Sequence, residues 1–182
     1  MYEYLFGSAI FSAIWIIFYF LRMDLRNQMI FSSLLSLPLG TLEILFIPYY
    51  WNPERLFNFN PAIESFLLMF SIGGIVSVLY EIAFRKQLKK LNISRYESKK
   101  INRLIGISII ISIFIFSFIL KNNFILTFSI TMFLGSAASV FARKYLFKKI
   151  FFSGISFLLI YLLFLLFMNH IIFPDWIEKL DY

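Results

Sequence analysis

The chain contains no cysteine, which excludes disulfides, thiolate catalysis and iron–sulfur clusters. It contains one histidine, which leaves almost nothing from which to build a zinc or haem site. Charge is scarce too: Asp, Glu, Lys and Arg make up 15% of the 182 residues, against 60% hydrophobic residues. A soluble domain of this length needs far more polar cover. The first apolar stretch has no basic residue before it and no small-x-small site after it, so it does not read as a cleavable signal.

What fills the chain instead is a series of long apolar runs. A run of about 20 such residues crosses the hydrocarbon core of a bilayer as a helix. The sequence predicts spans at Tyr4–Leu21, Met29–Pro48, Ala62–Phe84, Leu104–Leu120, Asn123–Ala142 and Ile150–Phe173. Lysine and arginine fall in every second gap. Arg22 and Arg26 follow the first span, Arg85 to Arg103 follow the third, and Arg143 to Lys149 follow the fifth. Together these gaps hold 14 of the 17 basic residues; Arg55, Lys121 and Lys179 lie on the other side. Positive loops stay in the cytoplasm. The expected fold is therefore an all-α, polytopic bundle of about six transmembrane helices in the cell membrane, with both termini outside. The net charge of +7 serves orientation and contact with anionic lipid, and no nucleic-acid partner is expected.

The organisation expected is a three-helix membrane unit at 1–86, a basic cytoplasmic connector at 87–103, and a second three-helix unit at 104–182. The connector, interrupted by Asn92, Ser94 and Ser98, reads as an exposed loop or short surface helix. The other loops are short, so sequential helices should pack as antiparallel neighbours. Gly73 with Ser77, and Gly135 with Ser139, are small-xxx-small pairs of the kind that let helices approach. Tyr49, Tyr50, Trp51 and Trp176 lie at the predicted outer boundary, where aromatic side chains gather.

Carboxyl groups inside spans are the chemical candidates, because each costs about 2.5–3.5 kcal/mol to insert. Glu43 lies five residues before the outer end of span two, at Pro48. Glu64 opens span three from the same side. Glu81 is ~25 Å further along that helix and cannot join them. Glu81 reads as a capping or snorkelling acid beside Arg85. Glu64 follows Asn60-Pro61 and falls in a first turn, where the helix dipole favours an acid. Glu43 has no comparable structural reason, and Pro38 and Gly40 before it loosen the span. A buried carboxylic acid can keep its proton and act as a general acid, while a neighbouring carboxylate takes a proton back. Aromatic walls stabilise carbocations through their ring faces. The 25 Phe, 10 Tyr and 3 Trp would supply such walls, although Phe in a membrane helix usually faces lipid.

Residues 36–84 carry a resemblance. The run from Leu37 to Pro53, including Pro38, Gly40, Glu43 and Pro48-Tyr49-Tyr50-Trp51, is followed by Ile63-Glu64-Ser65-Phe66-Leu67, Phe70-Ser71-Ile72-Gly73-Gly74 and Leu79-Tyr80-Glu81. This stretch resembles the lycopene cyclase domain of the small membrane cyclases, which occur as heterodimers of short subunits or as tandem fused copies. Their shared mark is a Pro-x-Glu-Glu/Asp motif opening a membrane helix. Here Pro61 is displaced by one position, and Ser65 stands where the second acid would be.

The resemblance implies carotenoid biosynthesis by an isomerase of the intramolecular lyase kind. A proton adds to the end of a linear carotene, the cation closes a ring, and a proton is lost, with no cofactor. Glu64 matches the motif acid; Glu43 is added from its burial. Pro38, Asn60, Pro61, Ser65 and Phe66 would line the substrate site. Asn52 and Asn58 could hydrogen-bond the acids, or serve as loop residues. His170 could relay a proton, or sit at the interface. Phe167–Tyr182 echoes Phe46–Trp51, which suggests a parallel internal repeat whose last helix would lie beyond Tyr182 or on a related subunit. The partners expected are membrane lipid, a linear carotene or other isoprenoid, and a second copy or related subunit. Two alternatives stay open: an isoprenoid-binding or other lipid-binding protein without chemistry, and a small proton- or cation-coupled transporter. The latter is disfavoured because spans four and five carry no charged residue.

Overall fold

In the computed structural model, residues 3–46, 59, 61–86, 95–119 and 123–172 are described. They are helical, with no strand among the described residues. Helix α1 is Glu3–Leu21, α2 Arg26–Ser36, α3 Glu43–Phe46, α4 Ile63–Ala83, α5 Arg95–Ile119, α6 Phe124–Ala142 and α7 Phe147–Phe167. A π-helical turn, Met168–Ile172, continues α7. Three segments are long and apolar enough to cross a membrane: Tyr4–Leu21, Ile63–Ala83 and Lys144–His170. At ~1.5 Å per residue the 21 residues of α4 span ~31 Å, the thickness of a hydrocarbon core. The apolar stretches in α5 and α6 are shorter. The stretch read as a connector contains the first turns of α5. Lys and Arg are good helix formers, and extending a helix already nucleated in the apolar run costs little.

The chain forms two compact units, Met1–Leu88 with Phe152–Tyr182, and Lys89–Phe151. In the first, α4 is the central element, packed against both α1 and α2. Phe11, Ile75 and Leu79 form one buried cluster, with Trp15, Phe18 and Leu68 against it, and Phe157, Ile160 and Phe164 of α7 closing it. Leu25, Met29 and Val78 form a second. Between them runs a seam of polar contacts. Ser12 meets Ser71 at 3.1 Å, Trp15 Nε1 donates to Ser33 Oγ at 2.9 Å, Ser36 Oγ donates to the Met69 carbonyl at 2.8 Å, and Gln28 donates to the Ser77 carbonyl. Such bonds tie helices together where no water competes. The small pair proves to be Gly73-Gly74: a Cβ on Gly73 would overlap Ser36, and one on Gly74 would overlap Trp15 and Ser33. Ser77 bonds back to the Gly74 carbonyl at 2.8 Å.

The second span is not one continuous α-helix. After Ser36 the backbone tightens into a 3₁₀ segment, Leu37–Leu42, with Pro38 in its first turn. In a 3₁₀ helix residues three apart eclipse one another. Leu37, Gly40 and Glu43 therefore share a line, and Gly40 and Glu43 are buried. Turning ~120° per residue instead of ~100°, the six residues swing the chain by ~120° relative to an unbroken α-helix. Gly40 permits the approach to α4, since its Cβ would lie 3.1 Å from the Phe66 Cα.

Helix α4 ends in a C-terminal turn with the 6→1 bond of a Schellman motif, in which Lys86 N–H donates to the Glu81 carbonyl at 3.0 Å. Arg85 takes the left-handed position, φ 49°, where glycine is usual. Arg22 locks this end to α1, donating to the Glu81 carbonyl at 3.1 Å and the Lys86 carbonyl at 2.8 Å. It also grips Asp24 with two bonds of 2.9 Å.

In the second unit α5 packs on α6. Gly135 receives Ile109, whose side chain would lie 3.0 Å from an added Cβ, and Ser139 bonds to the Gly135 carbonyl at 2.8 Å. Asn123 caps α6, accepting from Leu126 N–H at 3.2 Å.

The corner after α6 repeats the corner after α1. Arg22 (φ −126°, ψ 76°) and Arg143 (φ −143°, ψ 73°) each precede one three-residue 3₁₀ turn, Met23–Leu25 and Lys144–Leu146. Leu25 and Leu146 donate back to the carbonyls of Arg22 and Arg143 at 3.0 and 2.8 Å. Each arginine also reaches another helix of its own unit; Arg143 Nη2 donates to Asn102 Oδ1 of α5 at 3.0 Å.

Candidate functional site

The 3₁₀ segment carries Glu43 to the start of α4. There its Oε2 accepts from the backbone N–H of Ala62 at 2.7 Å, across 19 residues of chain. Ala62 is the N-cap of α4, with extended backbone and no side-chain cap of its own. Glu43 thus satisfies a donor that the helix cannot, and its carboxyl sits at the positive end of the helix dipole. The sequence offered no structural reason for Glu43; the fold supplies one, because the capping partner lies on another element.

The same Oε2 accepts from Ser65 Oγ. Ser65 Oγ in turn contacts the hydroxyl of Tyr4, brought in by the first turn of α1. Tyr4 and Glu43 are each 7% exposed and Ser65 is 2% exposed, so bulk water does not compete for these bonds. Three elements distant in sequence converge on one carboxyl.

Glu64 directly precedes Ser65 in the first turn of α4 and is 3% exposed. Glu43 and Glu64 are therefore both buried at the same end of the first unit. Glu81 is also buried, seventeen residues on and ~25 Å away by helical rise. Arg85 is exposed on the left-handed turn that ends α4, and Arg22 donates to the Glu81 backbone carbonyl. Hydrogen bonding with Asp24 raises the Arg22 pKa above its ordinary value, opposed by desolvation and reinforced by the negative fields of Asp24 and Glu81.

The other candidates scatter. Phe66 is half-buried against Gly40, and Pro61 is half-buried one residue before the N-cap. Pro38 is exposed at the start of the 3₁₀ segment, and His170 is exposed on the π-helical turn. Asn52, Asn58, Asn60, the boundary aromatics Tyr49, Tyr50, Trp51 and Trp176, and the tail after Phe173 lie outside the described residues.

Tyr4 escaped the sequence reading, because a tyrosine at the head of an apolar run looks like any interfacial aromatic. Serines occur on the helices of the polar seam, Ser8 and Ser12 on α1, Ser32, Ser33 and Ser36 on α2, and Ser65, Ser71 and Ser77 on α4, but α5, α6 and α7 carry serines as well, so they do not single out the site. No group of three or more His, Cys, Asp or Glu side chains suited to a metal ion occurs among the described residues. Comparisons of the chain with protein-family models, with curated proteins and with solved structures find no match.

Proposed function

We propose that the chain is a six-span protein of the cell membrane with both termini outside, and that Glu43 and Glu64 perform acid–base isomerisation of a linear carotene. The observation that carries this reading is the pair of buried carboxyls at one end of the first unit, Glu43 bonded to Ser65 and Glu64 next to Ser65 in the chain. Ser65 occupies the place of the second acid in the motif of the lycopene cyclase domains that residues 36–84 resemble, and Glu43 is hydrogen-bonded to it. The carboxyl that the local sequence lacks is thus offered by a different element.

In the reaction proposed, an acid O–H bond breaks and its proton forms a C–H bond at a terminal alkene carbon. The resulting cation is attacked by a neighbouring double bond, which closes the ring. Loss of a proton to the second carboxylate restores a double bond, so substrate and product are isomers and no cofactor is consumed. Glu64, as the motif acid, is assigned the donor role, with Glu43 as its proton partner.

A second reading has its own support. Because Glu43 caps α4, its burial has a purely structural use, and a protein that binds an isoprenoid without chemistry would keep it for that reason. Pigment analysis separates the two. Expression in lycopene-making cells, alone and with a related subunit, should give cyclic products that Glu64→Gln abolishes and Glu81→Gln leaves. General acid–base contributions predict a loss of ~10²-fold or more for Glu43→Gln. Absence of rings under both conditions would leave the binding reading.

A further inference from the structure

We infer that Tyr4 and Ser65 are positioning residues for Glu43, forming a one-way donor chain that fixes which carboxyl oxygen handles the proton. The argument follows from counting hydrogens. The Ala62 N–H can only donate, and it donates to Oε2. Ser65 has a single hydroxyl hydrogen, and it is given to the same Oε2. With that hydrogen committed, Ser65 can only accept from Tyr4, so the phenol is the donor of the pair. The order is Tyr4 to Ser65 to Glu43. An oxygen already receiving two donors is not the one that bears an acid proton. In the neutral acid the proton therefore sits on Oε1.

The order has a chemical consequence, which rests on the proposed isomerisation. Glu64 supplies the first proton, and Glu43 waits as the acceptor with part of its carboxylate charge on Oε2. Two hydrogen bonds already aimed at Oε2 strengthen against that charge, and the Tyr4 bond polarises the Ser65 hydroxyl further. When a carbocation later returns its proton, Oε1 receives it. The donors are fixed before reaction, as an oxyanion hole is, and removing one such donor typically costs ~10²–10³-fold in rate. Tyr4 acts only through Ser65 and should cost less.

The test uses the full chain in lipid nanodiscs and reads the carboxyl directly. The acid-form carbonyl band of Glu43 is assigned by infrared difference between the wild type and Glu43→Gln. Ser65→Ala should move that band to higher wavenumber, Tyr4→Phe should move it less in the same direction, and Ser65→Thr, which keeps the hydroxyl, should restore it. Elution profile and helicity matching the wild type establish folding, and the threonine variant guards against misfolding as the cause. A band unmoved by both Tyr4→Phe and Ser65→Ala would overturn the donor chain. So would a band moved by Tyr4→Phe alone, because Tyr4 would then reach Glu43 without Ser65. If the bands move as expected but no variant, wild type included, forms rings, the donor chain stands and the isomerase reading falls. If rings form, Ser65→Ala should lower kcat by ~10²-fold with little change in KM, and Ser65→Thr should recover it.

Discussion

Trp15 on α1 donates its indole N–H to Ser33 Oγ on α2 at 2.9 Å, and both side chains lie where a Cβ on Gly74 would go. The three-helix contact therefore depends on one missing methyl group. Gly74→Ala should push Trp15 and Ser33 apart and destabilise the protein by about 1–3 kcal/mol, the usual range for overpacking. Thermal denaturation in detergent would report it as a lowered midpoint. Gly154→Ala is the control, since nothing lies within 4 Å of its added Cβ; there the greater helix propensity of alanine should leave stability equal or slightly raised.

The two uses of Glu43 can be separated by stability. Glu43→Gln keeps a carbonyl oxygen for Ala62 N–H and Ser65, so the start of α4 should survive with a loss of less than about 1 kcal/mol. Glu43→Ala leaves the Ala62 N–H buried without its acceptor and should cost about 1–3 kcal/mol. Equal stability of the two variants, measured by chemical denaturation in detergent, would remove the capping role.

The corner after α1 gives a small acid dependence. The Arg22 hydrogen bond holds the Asp24 carboxyl below its usual range, with the Arg22 charge adding to the effect and burial opposing it. The folded protein thus binds this proton less readily than the unfolded chain. The stabilisation is present above the unfolded value and is lost as pH falls through the lower folded one. Asp24 is exposed and screened by solvent, so the contribution is at most a few tenths of a kcal/mol. Asp24→Asn should flatten the acid limb of a melting-temperature profile slightly. Arg22→Gln should lower stability at every pH, because the Glu81 and Lys86 carbonyls each lose the bond from Arg22.

Single-cysteine labelling tests the orientation without background, because the chain has no cysteine of its own. In intact cells, Ser94→Cys should resist a membrane-impermeant reagent and Lys121→Cys should react with it. Labelling of Ser94→Cys from outside would invert the proposed topology.

Helix positions were the legible part of the sequence. Apolar length alone marked Tyr4–Leu21 and Ala62–Phe84, against Glu3–Leu21 and Ile63–Ala83 in the structure. The 3₁₀ segment was half legible. Pro38 and Gly40 announced an irregularity, but a breaker does not say whether a helix loosens or tightens. The cap formed by Glu43 was not legible, because a bond between residues 19 apart on separate elements leaves no local pattern. Tyr4 was further still from view, 61 residues from the serine it contacts. The first turns of α5 were hidden for the opposite reason: Arg95, Lys99 and Arg103 suit a solvated loop and a helix equally.

The two arginine corners bear on how the chain enters lipid. A three-residue 3₁₀ link leaves no slack between the segments it joins, and its arginine is already tied to another helix. On the six-span reading, the segment after each corner cannot wait in water while its predecessor finds its place. Segments one and two would be delivered as one unit of insertion, and five and six as another, with the corner guanidinium staying among the headgroups as a pivot. Biogenesis would then proceed in pairs, and lengthening a corner by a few residues should slow or scramble insertion before it harms the finished fold.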